Sequence, residues 1–523
     1  YINSGFTRTL VTLSLGMALA MLLQMAFKEV RTMQAGAVGA APDRELAERL
    51  FAVLARARLG ILERFPAGRR SELLGHVAAV QSAYSAQHVN AVMDGPFALL
   101  FILATGWLSP VLACLGLAGM GLAMLHGHLA QKRLRGAQRL AAEAAAGCRG
   151  VLFQASAAAD TLRVFGGARH LGRLWSGHVG DLERSQQEIS LHRGRGAIMT
   201  MLAYVLTRVL YYAVGAKLCI TGDVSMAGLI VGNILVGRAM RQVQGLAGAL
   251  AQFAAVRQPL AELAEFFRLP LEPESGAAMR RFTGRLEMRD VAFAFPGSSG
   301  PLFESLSLCL EPGTVLAVTG PNGSGKTTLA RLAAGLLEPT RGEILADGIN
   351  LRQIAPGWWR QQIQYAPQEP VLLAGTLAEN LRMANPELPD ATLDRIVAAV
   401  GLERFLSTVP EGLATPVRDG GRTLSLGVRR RMALARALAT GGNLVILDEP
   451  TEGLDAEGTA AVHALLHEMA SLGRTVIVVT LDPAILRGVH AVLNLGVKPR
   501  PEIALRRPVP APGPMEANDV PRH

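Results

Sequence analysis

The feature that most restricts the fold is the octapeptide Gly320-Pro321-Asn322-Gly323-Ser324-Gly325-Lys326-Thr327, a GxxxxGK[ST] pattern. A strand-like run, Thr314 to Thr319, precedes it, and a helical pattern from Thr328 to Leu337 follows. Strand, glycine loop and helix start together make a phosphate cradle. The glycines let backbone N–H groups wrap the phosphates, Lys326 reaches the β- and γ-phosphates, Thr327 is placed to ligate Mg²⁺, and the helix N-terminus favours anions. The C-terminal half is therefore expected to be an α/β domain.

A second motif lies downstream. Leu444-Val445-Ile446-Leu447 reads as a buried strand ending in Asp448-Glu449, which suits a Mg²⁺-organising aspartate followed by a water-polarising base. Short β-rich runs alternate with helical ones from about residue 280, after Pro270 and a linker over 271–283.

The N-terminal half has another character. Half of the 523 residues are hydrophobic, only 18% are charged, and mean hydropathy is +0.28, too apolar for a soluble chain unless long runs sit in lipid. Apolar runs near 6–27, 91–108, 110–130, 197–221 and 225–243 read as five spans within a transmembrane domain over 1–270. No ionised residue falls between Pro96 and Leu125, and Trp107-Leu108-Ser109-Pro110 breaks that stretch into a helical hairpin. The intervening segments are Arg-rich, with Arg44, Arg49, Arg56 and Arg58 in one and Lys132, Arg133, Arg135 and Arg163 in the next. By the positive-inside rule both are cytoplasmic, and an odd span count puts Tyr1 outside and the α/β domain inside. Arg208 stands within the fourth run, where a charge needs protein or water beside it.

The net charge of +10 gathers beside apolar runs, so no nucleic-acid partner is expected. Cys114, Cys148, Cys219 and Cys309 are scattered without metal spacing. The start at Tyr1 shows neither a basic n-region nor a cleavage site, and the chain is expected to lack its beginning rather than to carry a signal peptide. Residues 498–523, Pro-rich from Pro508, are expected to be a disordered tail.

Taken with these motifs, residues 284–497 resemble the nucleotide-binding domain of ABC transporters, a P-loop NTPase fold. The resemblance implies that Phe295 stacks on adenine and that Gln368, in Tyr365-Ala366-Pro367-Gln368, senses Mg²⁺ and shares in catalysis with Glu449. Gly320 to Thr328 would hold ATP, and Thr327, Gln368 and Asp448 the metal. Ser425 and Gly427, in Leu424-Ser425-Leu426-Gly427-Val428, would touch the γ-phosphate of ATP held by a partner domain, and Gly453-Leu454-Asp455 resembles the D-loop. Two departures stand out. Leu426 and Val428 replace a glycine and the glutamine of LSGGQ, and Leu481 replaces the switch histidine after Thr475 to Thr480. Losing one transition-state donor costs about 10²–10³ in rate, so slow hydrolysis is expected.

The membrane half, through Asp94-Gly95-Pro96-Phe97 and Ser225 to Ala239, looks like ABC subunits of bacterial type I protein secretion systems. That branch has six spans, and the first run here is similar to its second. The resemblance implies a multi-pass protein of the bacterial inner membrane, among lipids, that dimerises with a second ABC subunit, a homodimer being preferred to a heterodimer. It further implies a periplasmic membrane fusion protein, an outer-membrane channel and a secreted polypeptide as partners. The alternatives are a degenerate half of a heterodimeric exporter, a lipid or small-molecule exporter, and an ATP-binding switch that hardly hydrolyses.

Overall fold

The computed structural model describes residues 7–505 apart from 66, 279 and 299, with residues 7–10, 37–43, 67–69 and 71 described by backbone alone. The described chain divides into two compact units. One runs to Leu269 but omits 56–64, and the other holds 56–64 together with everything from Pro270.

The first unit is all helix: α1 (Thr7–Arg56), α3 (Ala67–Ala83), α4 (Ala86–Asp94), α5 (Phe97–Leu108), α6 (Pro110–Ala157), α7 (Ala159–Val164), α8 (Ala168–Ile220), α9 (Met226–Ala255) and α10 (Arg257–Phe267), with α2 (Leu59–Leu62) in the excursion that joins the second unit. Local chemistry sets the breaks. Pro96 begins a new helix after Gly95, Pro110 follows extended Ser109 as the first residue of α6, and the Ser225 hydroxyl caps α9 by accepting the amide of Gly228 at 3.0 Å.

Helices α6 and α8, 48 and 53 residues long, run antiparallel, with Gly119 against Thr207 and Gly147 against His178. At 1.5 Å per residue each is roughly 70–80 Å long, more than twice a bilayer's hydrocarbon core. Their Arg-rich ends therefore extend the helices far beyond any span. Ile102, Leu112, Met120, Tyr211, Val236 and Met240 form the shared core, while Leu15, Met17, Leu22 and Phe27 of α1 face outward, as lipid-facing residues do.

By length and composition four helical segments among the described residues suit a membrane: Val11–Gly36, Glu72–Leu108, Pro110–Ala157 and Ala168–Ile220. The run expected at 225–243 forms the start of α9, but Arg238 and Arg241 shorten its apolar stretch and it is not one of these four.

The second unit opens with a four-stranded antiparallel sheet. Its order is β2-β1-β4-β5, from β1 (Leu286–Phe293), β2 (Phe303–Leu310), β4 (Arg341–Ala346) and β5 (Ile349–Asn350). The main sheet takes β3 (Val315–Thr319), β6 (Ile363–Ala366), β9 (Leu444–Asp448), β10 (Thr475–Val479), β11 (Ala491–Asn494) and β12 (Glu502–Leu505) in the order β12-β11-β3-β10-β9-β6; β7 (Gly375–Thr376) and β8 (Pro416–Val417) form a separate ribbon. All its pairs are parallel except β11 with β12. Every residue of β9 and β10 is buried, which is why these strands read as unbroken apolar runs in the sequence.

Three boundaries differ from the sequence reading. Residues 56–64, assigned with the membrane half, pack with the α/β unit: Ala57 bridges to Leu271, and the Arg58 amide donates to the Pro270 carbonyl at 3.2 Å. Within the expected linker, Ala277 donates to Gln353 O at 2.7 Å and Phe282 is fully buried. The tail expected from 498 begins as structure, because Glu502–Leu505 satisfies the outer edge of β11; residues 506–523 lie outside the described residues.

A candidate nucleotide site at the carboxyl edge of the sheet

The phosphate loop leaves the carboxyl end of β3 and enters the helix Lys326–Ala333, and Asp448 ends the nearby strand β9. Ligands of open α/β sheets bind at this edge. Gly320, Gly323 and Gly325 have φ of +145°, +78° and +106°, a region closed to most side chains. A methyl on Gly325 would also stand 2.6 Å from Leu302 Cδ2.

Lys326 is buried, and its Nζ donates to Gly320 O at 3.0 Å and lies 3.6 Å from Glu449 Oε1. Glu449 is itself held in an uncommon backbone state, φ +51°, by the bond from its amide to Val479 O at 2.9 Å. Gln368 Nε2 donates to Glu449 Oε2 at 3.0 Å. The structure thus brings together Lys326, Gln368 and Glu449 from three separate segments.

Asp448 is buried beside them, and among the described residues neither of its carboxylate oxygens has a donor at full hydrogen-bond geometry, the Thr327 hydroxyl being a polar neighbour. A buried anion without a donor is costly unless a cation completes it. With the hydroxyl of Thr327 nearby, the donor set is all hard oxygen and fits a small divalent cation. The Ser324 hydroxyl, buried in the loop, likewise has no hydrogen-bond partner among the described residues. Burial pushes the Asp448 carboxyl up, and the Thr327 hydroxyl and Lys326 ammonium offset only part of this. Burial also raises Glu449, helped by the neighbouring Glu452 carboxylate, against the pull of Lys326.

Other expected site residues fall elsewhere. Ser425 caps the helix Leu426–Thr440, accepting the Val428 amide at 3.3 Å, and among the described residues no hydrogen bond or ion pair ties Ser425 or Gly427 to residues 320–328. Asp455 caps the helix Ala456–Ser471 through the Gly458 amide at 2.8 Å and pairs with Arg431 at 2.6 Å. Phe295 is 45% exposed and meets Phe293 edge to face at 5.0 Å. Leu481 is 61% exposed, and the next residue, Asp482, lies 3.0 Å from His463 Nε2.

Sequence reasoning missed Glu452, which pairs with Arg430 at 3.0 Å and influences Glu449. Its only signal was an acid three residues after Glu449, a spacing that brings the two together only once the turn Glu449–Leu454 has formed.

A phosphate loop, an acid pair and an assisting glutamine at one sheet edge, fused behind apolar helices, define a membrane-embedded P-loop ATPase. Residues 303–452 match the family model described as ABC transporter, and residues 1–242 match that of the ABC transporter transmembrane region. The chain is 30% identical over 493 residues to the type I secretion system ATP-binding protein PrsD of Rhizobium meliloti, covering 93% of this chain and 83% of that one. It is 25% identical over 488 residues to the alpha-hemolysin translocation ATP-binding protein HlyB of Escherichia coli, covering 91% and 68%. A bacterial Atm1-family ABC exporter with ATP bound shares the fold, with a TM-score of 0.84 at 19% identity over 95% of this chain and 88% of that chain. The chain belongs to the ABC transporters: it is an exporter whose ATP-binding domain is an ATPase coupled to transport.

Proposed function

We propose that this protein is the inner-membrane ABC subunit of a bacterial type I secretion system and moves an unfolded polypeptide. The observation that carries this reading is similarity along nearly the whole chain, membrane helices included, to a type I secretion protein. The protein works as a homodimer, together with a periplasmic membrane fusion protein and an outer-membrane channel. Two ATP molecules lie between the cassettes, each gripped by Gly320–Thr328 of one copy and by Ser425 and Gly427 of the other, with Phe295 against adenine. Within one chain no hydrogen bond or ion pair among the described residues ties Ser425 or Gly427 to that loop, which agrees with such sharing.

Thr327, Asp448 and Gln368 would hold Mg²⁺, which would supply neutralisation of phosphate charge. Glu449 then takes the proton of the attacking water, with Gln368 fixing its carboxylate. Leu426, Val428 and Leu481 slow the cycle, because an exposed leucine at 481 presents no donor to the γ-phosphate.

The test compares polypeptides released by cells carrying the native chain with those of cells carrying Glu449→Gln. Loss of one or a few extracellular polypeptides is expected. An unchanged set of extracellular proteins with an altered lipid or small-molecule export would overturn the reading.

A further inference from the structure

Away from the phosphate loop, the second unit holds a half-open cavity of about 550 Å³, within the range of small-molecule sites. Its roof is the excursion 56–64, tied down by the Ala57–Leu271 bridge and by ion pairs from Arg58 to Glu338 at 2.8 Å and from Glu63 to Arg331 at 3.1 Å. The excursion packs closely there, since a methyl on Gly60 would stand 3.3 Å from Leu337 Cδ2. The floor is apolar, formed by Phe293, Leu332, Leu336, Ile344, Ile354 and Trp359. No residue of 320–327 lines it, and Phe295 at its edge is the one residue it shares with the proposed nucleotide site.

The charges on the rim are equal in number but not all paired with one another. Three glutamates and three arginines line the cavity, but each glutamate already has a cation: Glu63 has Arg331, Glu272 has Arg360 at 2.6 Å, and Glu338 has Arg58 and, at 3.6 Å, Arg352. Arg64 alone among these rim arginines has no carboxylate among the described residues, and it is exposed. An apolar chamber with one unspent cation at its edge recognises an apolar body that carries one negative charge.

We propose that this cavity is a second small-molecule site, for an amphipathic monoanion whose acyl or aryl body fills the chamber and whose acid group meets Arg64. The site is independent of the nature of the cargo. Because 56–64 joins α1 to α3, the occupant braces that stretch of chain against the cavity floor.

Octanoate and 2-naphthoate stand for the acyl and aryl sources, with octylamine and 2-naphthylmethylamine as cationic counterparts. Binding is measured by calorimetry on the full chain in nanodiscs, with and without saturating ATP. At least one anion is expected to bind tenfold or more tightly than its amine, undisturbed by ATP, and the tighter of the two names the source. Arg64→Glu is expected to weaken it at least tenfold with basal ATPase unchanged, and Leu336→Trp, which fills the chamber, to abolish it. Equal binding of anion and amine, displacement by ATP, or binding indifferent to both substitutions would each overturn the proposal.

Discussion

Gln368 Nε2 donates to one oxygen of Glu449 at 3.0 Å while Lys326 Nζ stands 3.6 Å from the other. The carboxylate is thus held between an amide that orients it and an ammonium that belongs to the phosphate cradle. On the proposed reading, a bound γ-phosphate would compete for Lys326 and leave Glu449 oriented by Gln368. Replacing Glu449 by Gln keeps the shape and removes the base. ATPase is expected to fall by about 10²–10⁴, with affinity for a fluorescent ATP analogue retained. A parallel loss of affinity would show that Glu449 holds the loop together rather than acting on water.

The acid side of the pH profile should be displaced. Burial, with Glu452 close by, raises the Glu449 carboxyl, and a base works only when deprotonated, so ATPase is lost on acidification at higher pH than an ordinary glutamate would require. Glu452→Gln removes the neighbouring charge and is expected to move that limb to lower pH, read from kcat against pH. Linkage runs the other way for folding. Asp448 and Glu449, both raised, bind protons more readily in the native state, so their contribution to stability is complete below the unfolded carboxylate range and fades as pH rises through the folded values. Melting of the nucleotide-free chain across that window checks the sign.

The parts of the site legible in the sequence were those encoded by adjacent residues. Glycines that need positive φ, a lysine next to them and an acid pair closing an apolar strand all announce themselves within eight positions. Partnerships across the fold did not. Asp455 stands in a segment that resembles the D-loop, and nothing in that motif announces that its carboxylate is engaged by Gly458 and by Arg431, 24 positions back. The excursion 56–64 sits amid Arg-rich sequence, and nothing local distinguishes it. Its place follows from a bridge to Leu271, a pairing that hydropathy cannot see. Likewise β12 is four residues with one glutamate and no alternation, stabilised as a strand by its neighbour rather than by its composition.

Leu481 leaves room for repair. Its side chain is 61% exposed, and the loop around it is anchored independently by the Thr480 amide to Val318 O at 3.1 Å and by Asp482 to His463 at 3.0 Å. Leu481→His should therefore fold normally and add a donor for the γ-phosphate. A rise in ATPase of at least tenfold is expected, up to the ~10²–10³ that one such donor is worth. An unchanged rate in reconstituted protein would mean that another step, closure at the signature being the first candidate, limits turnover.

Close approach of α6 and α8 depends on Gly119. A methyl there would stand 2.4 Å from Thr207 Oγ1 and 2.5 Å from its Cγ2. Thr207 has little freedom to yield, since it is buried and β-branched and its hydroxyl donates to Ala203 O at 2.7 Å. Overpacking of this kind costs about 1–3 kcal/mol, against a helix-propensity gain of at most ~1 kcal/mol for Gly to Ala. Gly119→Ala should therefore lower the melting temperature of the solubilised protein. Gly121, two residues on, has open space where its methyl would go, so Gly121→Ala should leave the melting temperature unchanged or raise it. Equal effects of the two substitutions would mean that the helices do not meet as closely as Gly119 and Thr207 require.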